Sequence, residues 1–201
     1  HEPKYNETSH HFHEINTQAA QCINCHMTGK IYMGNDFRRD HSFRIPRPDQ
    51  SVKYGTPNAC TGCHSDKSDE WARDIIIANY GGERVDHFSD HLLPGHEGDM
   101  AALEKLMSEG QYPDIVRATA LGLYSNQQFS SREVNEVLKY LQDSSALVRN
   151  EAVLTLDRIA IKEISAYVAP LLMDSIRMVR ISALRYFNTT NIIPENVSDF
   201  D

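Results

Sequence analysis

Long apolar runs are missing from this chain of 201 residues. The longest are stretches such as Ile75-Ile76-Ile77, far short of the roughly 18 to 20 residues that a membrane-spanning helix needs. Positive charge is in deficit as well: 20 bases face 28 acids, and the net charge of -8 is shared evenly between residues 1–98 and 99–201. With no basic face on either half, nucleic acid falls outside the expected partners. No cationic segment followed by an apolar one opens the chain, which begins at His1, so a mature form or a cut fragment is expected. Cysteine is absent after position 63 and histidine after position 96. Ligand chemistry is therefore confined to one half.

The two halves also differ in texture. Up to about residue 67, Pro46, Pro48, Gly55, Pro57 and Gly62 interrupt any long element, and the segment holds too few periodic apolar positions to build a core alone. From there on, amphipathic spacing predicts helices over 69–80, 99–109, 113–125, 131–142, 146–158, 161–173 and 176–187. The expected organisation is a loop-rich segment over 1–67, a helix and linker over 68–98, and a helical domain over 99–201. The fold class is mainly α. Within the last domain Val116-Arg117 recurs as Val148-Arg149 and Val179-Arg180, followed in each copy by Ala120, Ala152 or Ala183 and then Leu121, Val153 or Leu184. A small residue one turn after the arginine lets helices approach closely, and the apolar neighbours supply a stripe for the next helix to cover. Over about residues 99–188 the pattern resembles HEAT repeats, which implies stacked helix pairs in an α-solenoid. Arg117, Arg149 and Arg180 read as inter-repeat ion-pairing or capping groups.

Residues 22–26 read Cys-Ile-Asn-Cys-His and residues 60–64 read Cys-Thr-Gly-Cys-His. Every cysteine thus belongs to a Cys-x-x-Cys-His motif. Two thiols at that spacing can form thioethers to the two vinyl groups of one haem, and the histidine that follows is held under the iron. Cys22, Cys25, Cys60 and Cys63 are the expected attachment points of two covalently attached haem c groups, with His26 and His64 as proximal ligands. Two such groups would add large apolar surfaces to a segment that has few of its own. Three other uses of the same residues compete. Structural zinc accepts two Cys-x-x-Cys knuckles but does not require a histidine after both. Thioredoxin-like chemistry expects a strand before the motif, and no strand-rich context is visible. A disulfide across a two-residue gap closes too small a loop to stabilise much.

For the opposite faces of the irons the chain offers His13 and His41 first, with His11 or His10 able to replace His13. His41 lies in Arg38-Arg39-Asp40-His41-Ser42-Phe43-Arg44, which is too charged to be simple core. Met27 and Met33 are weaker candidates, Met27 because it adjoins His26 and Met33 because methionine more often packs than ligates. His87 and His91, four residues apart beside Asp86 and Asp90, could share a helix face and hold a transition metal. The blander expectation for them is surface histidine in a connecting segment.

From Cys22 to Gly81 the chain resembles the C-terminal haem-binding segment of multihaem c-type cytochromes that carry helical repeats behind it. The resemblance rests on the Cys-x-x-Cys-His-Met at 22–27, Tyr32-Met33, the segment Arg38 to Arg44, Pro46-Arg47-Pro48-Asp49, Gly55-Thr56-Pro57-Asn58-Ala59-Cys60, Cys63-His64 and Trp71-Ala72. It implies a piece of a larger electron-transfer protein with further haem motifs upstream. The expected function is electron transfer by a dihaem module, with the helices as a docking scaffold. Its partners would be other redox proteins or upstream haem domains of the same polypeptide. An enzyme reading, in which one iron keeps an open face and reduces a small nitrogen oxyanion or hydroxylamine-type substrate with Arg38, Arg39, Arg44 or Tyr32 as donors, is the alternative. A zinc-clipped helical-repeat adaptor is another. Covalent haem attachment would place the protein in an exported compartment, the periplasm or cell surface of a bacterium. Oligomeric state is not legible from the sequence.

Overall fold

The computed structural model describes residues 2–125 and 130–193. The chain is mainly helical and divides into two compact units, His1–Arg84 and Val85–Asp201. The division falls within the stretch 68–98 read from the sequence as helix and linker. It leaves the helix 69–80 with the N-terminal unit.

In the first unit, short elements alternate with turns. A single-turn helix α1 (Thr8–His11) stops at Phe12, which is left-handed at φ 56°. Helix α2 (Cys22–His26) carries the first motif. Strands β1 (Gly29–Tyr32) and β2 (Asp36–Arg39) then form an antiparallel hairpin, with Ile31 opposite Phe37 and Tyr32 opposite Asp36. Sequence periodicity gave no sign of this hairpin, because its tip uses Met33 and Gly34 at φ 50° and 81°. Two left-handed residues suit the twist of a tight hairpin, but methionine is not a residue that announces one. Helix α3 (Pro48–Tyr54) has proline in its first turn and ends at Gly55 with φ 65°, the usual asymmetry of helix ends. It packs against α4 (Asp69–Tyr80). The start of α4 is set by Ser68, whose side chain accepts from the Trp71 amide at 3.3 Å, with Asp69 and Glu70 favourably placed in the first turn.

The second unit holds the hydrophobic core. Its helices are α5 (Ser89–His96), α6 (Met100–Ser108), α7 (Asp114–Tyr124), α8 (Ser131–Leu138), α9 (Ala146–Ile159), α10 (Ser165–Val168) and α11 (Arg177–Thr190). Each of α6, α7 and α9 packs on the next long helix, α6 on α7, α7 on α9 and α9 on α11. The recurring positions behave alike: Val116, Val148 and Val179 are buried, and Ala120, Ala152 and Ala183 are fully so. The helices over 131–142 and 161–173 each end in a tight 3-10 turn, over Lys139–Gln142 and Ala169–Met173. Pro170 explains the second case, since it has no amide to continue an α-helix. Arg117 forks onto Asp143 and reaches the Met107 carbonyl at 3.2 Å. Arg149 repeats the fork onto Asp174, at 2.8 and 3.0 Å.

Candidate functional site

One helical turn puts Cys22 and Cys25 on the same side of α2, with His26 four residues after Cys22. That helix is too short to be stable alone. Arg39, at the end of β2, closes it: the guanidinium donates to the carbonyls of Ile23 and Met27, both at 3.0 Å, and to Asn24 Oδ1 at 2.8 Å. The segment after β2 then runs back along the motif. The Arg44 amide donates to the His26 carbonyl at 2.8 Å, and Phe43 stacks on the His26 ring at a centroid distance of 4.5 Å. The charged run from Arg38 to Arg44 is therefore a brace for the first motif.

The second motif is a single turn. The carbonyl of Cys60 accepts from the amides of Cys63 and His64 at 3.1 and 2.8 Å. Asn58 ties it down, accepting from the Cys60 amide at 2.9 Å and donating to Asp69 Oδ1 at 2.8 Å. His64 lies beside Trp71 at 5.0 Å between ring centres. The two motifs meet: burial pushes the Cys25 and Cys60 thiols up, and each also feels the charge of the other motif's cysteines. All four cysteines are free thiols.

Each motif histidine faces a second imidazole. His10 stands opposite His26 at 6.2 Å between ring centres with the planes 3° apart, and His13 stands opposite His64 at 6.1 Å and 36°. Near-parallel rings in direct stacking contact sit closer, as Phe43 does on His26. Two imidazoles sharing one metal, each with a bond of about 2.0–2.1 Å, have ring centres about 6 Å apart. The tautomers suit ligation too. His26 Nδ1 lies 2.6 Å from the Arg44 carbonyl and His13 Nδ1 bonds the His11 carbonyl. A carbonyl can only accept, so both Nδ1 atoms carry the proton and both Nε2 lone pairs are left for a metal. Burial, with His26 and His11 nearby, lowers the His10 pKa and favours its neutral form. Tyr80 fixes the His10 segment by donating to its carbonyl.

The other candidates are placed differently. His11 Nδ1 accepts from the His13 amide at 3.2 Å, which commits its lone pair. His41 follows β2, and no ring contact among the described residues sets it opposite His26 or His64. Met33 occupies the hairpin tip, 97% exposed, and Met27 ends α2. His10, ranked behind His13 and His41 on the sequence, is the residue whose ring stands opposite His26. Only the packing of α1 against the motif could have found it.

His87 and His91 do not converge. His87 Nδ1 pairs with Ser89 Oγ at 2.8 Å, whereas His91 Nε2 meets Asp86 at 2.7 Å and Lys105 Nζ at 3.0 Å. The Tyr112 hydroxyl, His91 and Lys105 all point at Asp86 and hold its carboxyl far below the usual range. Among the described residues, no three His, Cys, Asp or Glu side chains are grouped to hold a metal ion.

No family model, curated protein or solved structure matches the chain. Among the described residues, no helix is long and apolar enough to cross a membrane.

Proposed function

We propose that the chain is a dihaem electron-transfer module: a c-type cytochrome segment followed by HEAT-like helical repeats that dock a redox partner. The observation that carries this reading is the pair of facing imidazoles, His10 with His26 and His13 with His64, each motif histidine meeting a partner at the separation a shared metal requires. Cys22 and Cys25 would hold one haem c, and Cys60 and Cys63 the other, through thioethers. Haem held in this way supplies one-electron redox chemistry, and two imidazole ligands without a methionine favour a low potential. The chain's residues do the rest. Arg44 and His11 lend their carbonyls to fix imidazole tautomers, Phe43 and Trp71 offer apolar faces beside the ligands, and Arg39 and Asp69 keep the two motifs in shape.

This arrangement argues against an open iron face and so against the reductase reading. The arginines that reading would use as substrate donors are also engaged, Arg38 with Asp36, Arg44 with Asp40 and Arg39 with the carbonyls of α2. Thioether attachment needs an exported compartment, so we place the protein in a bacterial periplasm or at a cell surface, exchanging electrons with other redox proteins or haem domains. The test is the visible spectrum of protein matured in an exporting host, with haem quantified as its pyridine complex. Two covalent haems per chain with low-spin bands are expected. His10→Ala and His13→Ala should each create a high-spin fraction, and His41→Ala should create none. A colourless protein carrying zinc would overturn the reading.

A further inference from the structure

The two pairs of facing imidazoles differ in how their planes are set. His10 and His26 are parallel to within 3°, whereas His13 and His64 are turned 36° apart. A ring ligated through one nitrogen can swivel about that bond, so its plane is decided by what touches it off the axis. His26 is gripped twice. Phe43 lies on its face at 4.5 Å between ring centres and 6° between planes, and the Arg44 carbonyl accepts from Nδ1 at 2.6 Å. Both belong to one strap, which the amides of Asp40 and Arg44 fasten to the carbonyls of Thr28 and His26 at 2.9 and 2.8 Å. On the other side, His10 has Tyr5 and Tyr80 as ring neighbours, at 5.1 and 6.3 Å. His64 has neither grip. Trp71 meets it at 5.0 Å but tilted by 54°, and among the described residues no group hydrogen-bonds to the His64 ring. Phe43 itself is 63% exposed, so it adds little to any core. Among the described residues its ring contact is with His26.

We infer that Phe43 is a positioning residue: stacked on His26, it holds that imidazole parallel to His10 and so gives the centre at Cys22–His26 a different ligand field from the centre at Cys60–His64. The inference rests on the dihaem reading and adds what sets the two centres apart. An imidazole donates through the π orbital perpendicular to its plane and raises the iron d orbital that this orbital overlaps. Two parallel rings raise the same d orbital and separate it most from its neighbour, while two crossed rings raise one each and leave them level. At 3° the separation is close to its maximum, and at 36° it is smaller. In the oxidised low-spin state the separation fixes the highest g value in electron paramagnetic resonance, which rises as the separation shrinks. The sign of the effect is therefore set in advance, because a pair that is already parallel can only be turned away.

The test is electron paramagnetic resonance of oxidised holoprotein matured in an exporting host, with haem content and visible bands measured alongside. The parent should give two low-spin signals, the one with the lower maximum g value belonging to Cys22–His26. His13→Ala, which removes a ligand from the second pair only, identifies that signal as the low-spin one that remains. Phe43→Leu should raise its maximum g value toward that of the second centre and leave the second signal in place. Phe43→Tyr keeps an aromatic ring for the stack and should restore the parent value. The Arg44 carbonyl is present in every variant, so the shift reports the stack and not the hydrogen bond. Haem content and low-spin bands should not change, since the thiols and both imidazoles are untouched. Two haems per chain with both signals unmoved in Phe43→Leu would overturn the inference and leave the dihaem reading standing. So would a Phe43→Tyr signal shifted as far as that of Phe43→Leu, because stacking would then not set the plane. A parent without haem overturns both.

Discussion

The two units, His1–Arg84 and Val85–Asp201, solve the folding problem in different ways. Among its described residues the second unit buries an unbroken apolar core running from Leu103 to Phe187, while the first buries one apolar side chain outright, Ala72, alongside Pro48, Gln50 and Ser51. What orders the first unit is polar and local: Arg39 on three acceptors around α2, Asn58 between Cys60 and Asp69, and His26 on the Arg44 carbonyl. Residues that hold a cofactor must be placed to a fraction of an ångström. A scaffold need only bury a stripe. The difference teaches that the N-terminal unit is specified by local polar contacts and the C-terminal unit by periodicity.

The widest separation between the units is expected from a cavity in the core of the second. Leu156 is fully buried, and Leu156→Ala should cost about 2–5 kcal/mol in lost burial and cavity formation. Urea unfolding followed by helical circular dichroism should report that loss. On the dihaem reading, the visible bands of the first unit should not move if the two units are ordered by different means. A change in axial ligation in the same variant would break the comparison.

That contrast also explains what the sequence made legible. Helix 69–80 was readable to the residue because both of its ends are signalled locally, by Ser68 at the start and Gly81 at φ 82° after the end. The long helices of the second unit were readable from period alone, and their recurring valine, arginine and alanine had a physical cause in the buried seam. The two Cys-x-x-Cys-His motifs were legible because all four cysteines share one spacing. Which histidine faces His26 was not. His10 lies sixteen positions away, and what brings it there is the packing of α1 and its bond to Tyr80, neither of which leaves a trace in spacing. The β1–β2 hairpin escaped for a related reason, since a methionine holds the first of its two left-handed positions and only the second is a glycine.

A smaller effect should come from the ionic seam that joins the helices of the second unit. Arg149 holds the Asp174 carboxyl below its ordinary pKa. At Asp143, burial works upward but is outweighed by the Arg117 fork, the Ser145 amide and the nearby arginine charges. Both folded pKa values therefore lie below the unfolded value of about 3.9. The stability they contribute is fully present above that value and is lost as pH falls through the folded pKa. Asp174→Asn should cost about 1–3 kcal/mol at neutral pH, the range for a hydrogen bond to a charged partner left unmade. It should also flatten the decline in thermal midpoint below about pH 4, the region in which a lowered carboxylate is titrated. A variant as stable as the parent at pH 7 would show that the seam is held by apolar packing alone.

The finest distinction lies inside the first unit, where the two motifs are braced by opposite charges. Arg39 sets a guanidinium against α2, and Asp69 sets a carboxylate against the second motif, where it adds to the burial that pushes up the Cys60 pKa. A fixed positive charge favours the reduced state of a nearby redox centre and a negative charge disfavours it, since reduction adds one electron. On the dihaem reading, the centre at Cys22–His26 should therefore have the higher midpoint potential and the one at Cys60–His64 the lower. Arg39→Gln should lower the first, and Asp69→Asn should raise the second, so each change alone narrows the gap. Optical redox titration of the parent and both variants measures this directly. Glutamine and asparagine keep hydrogen-bonding capacity, which separates the charge effect from loss of the brace. Shifts of the same sign in the two variants would mean that packing rather than charge sets the potentials, and the asymmetry of the braces would then be structural only.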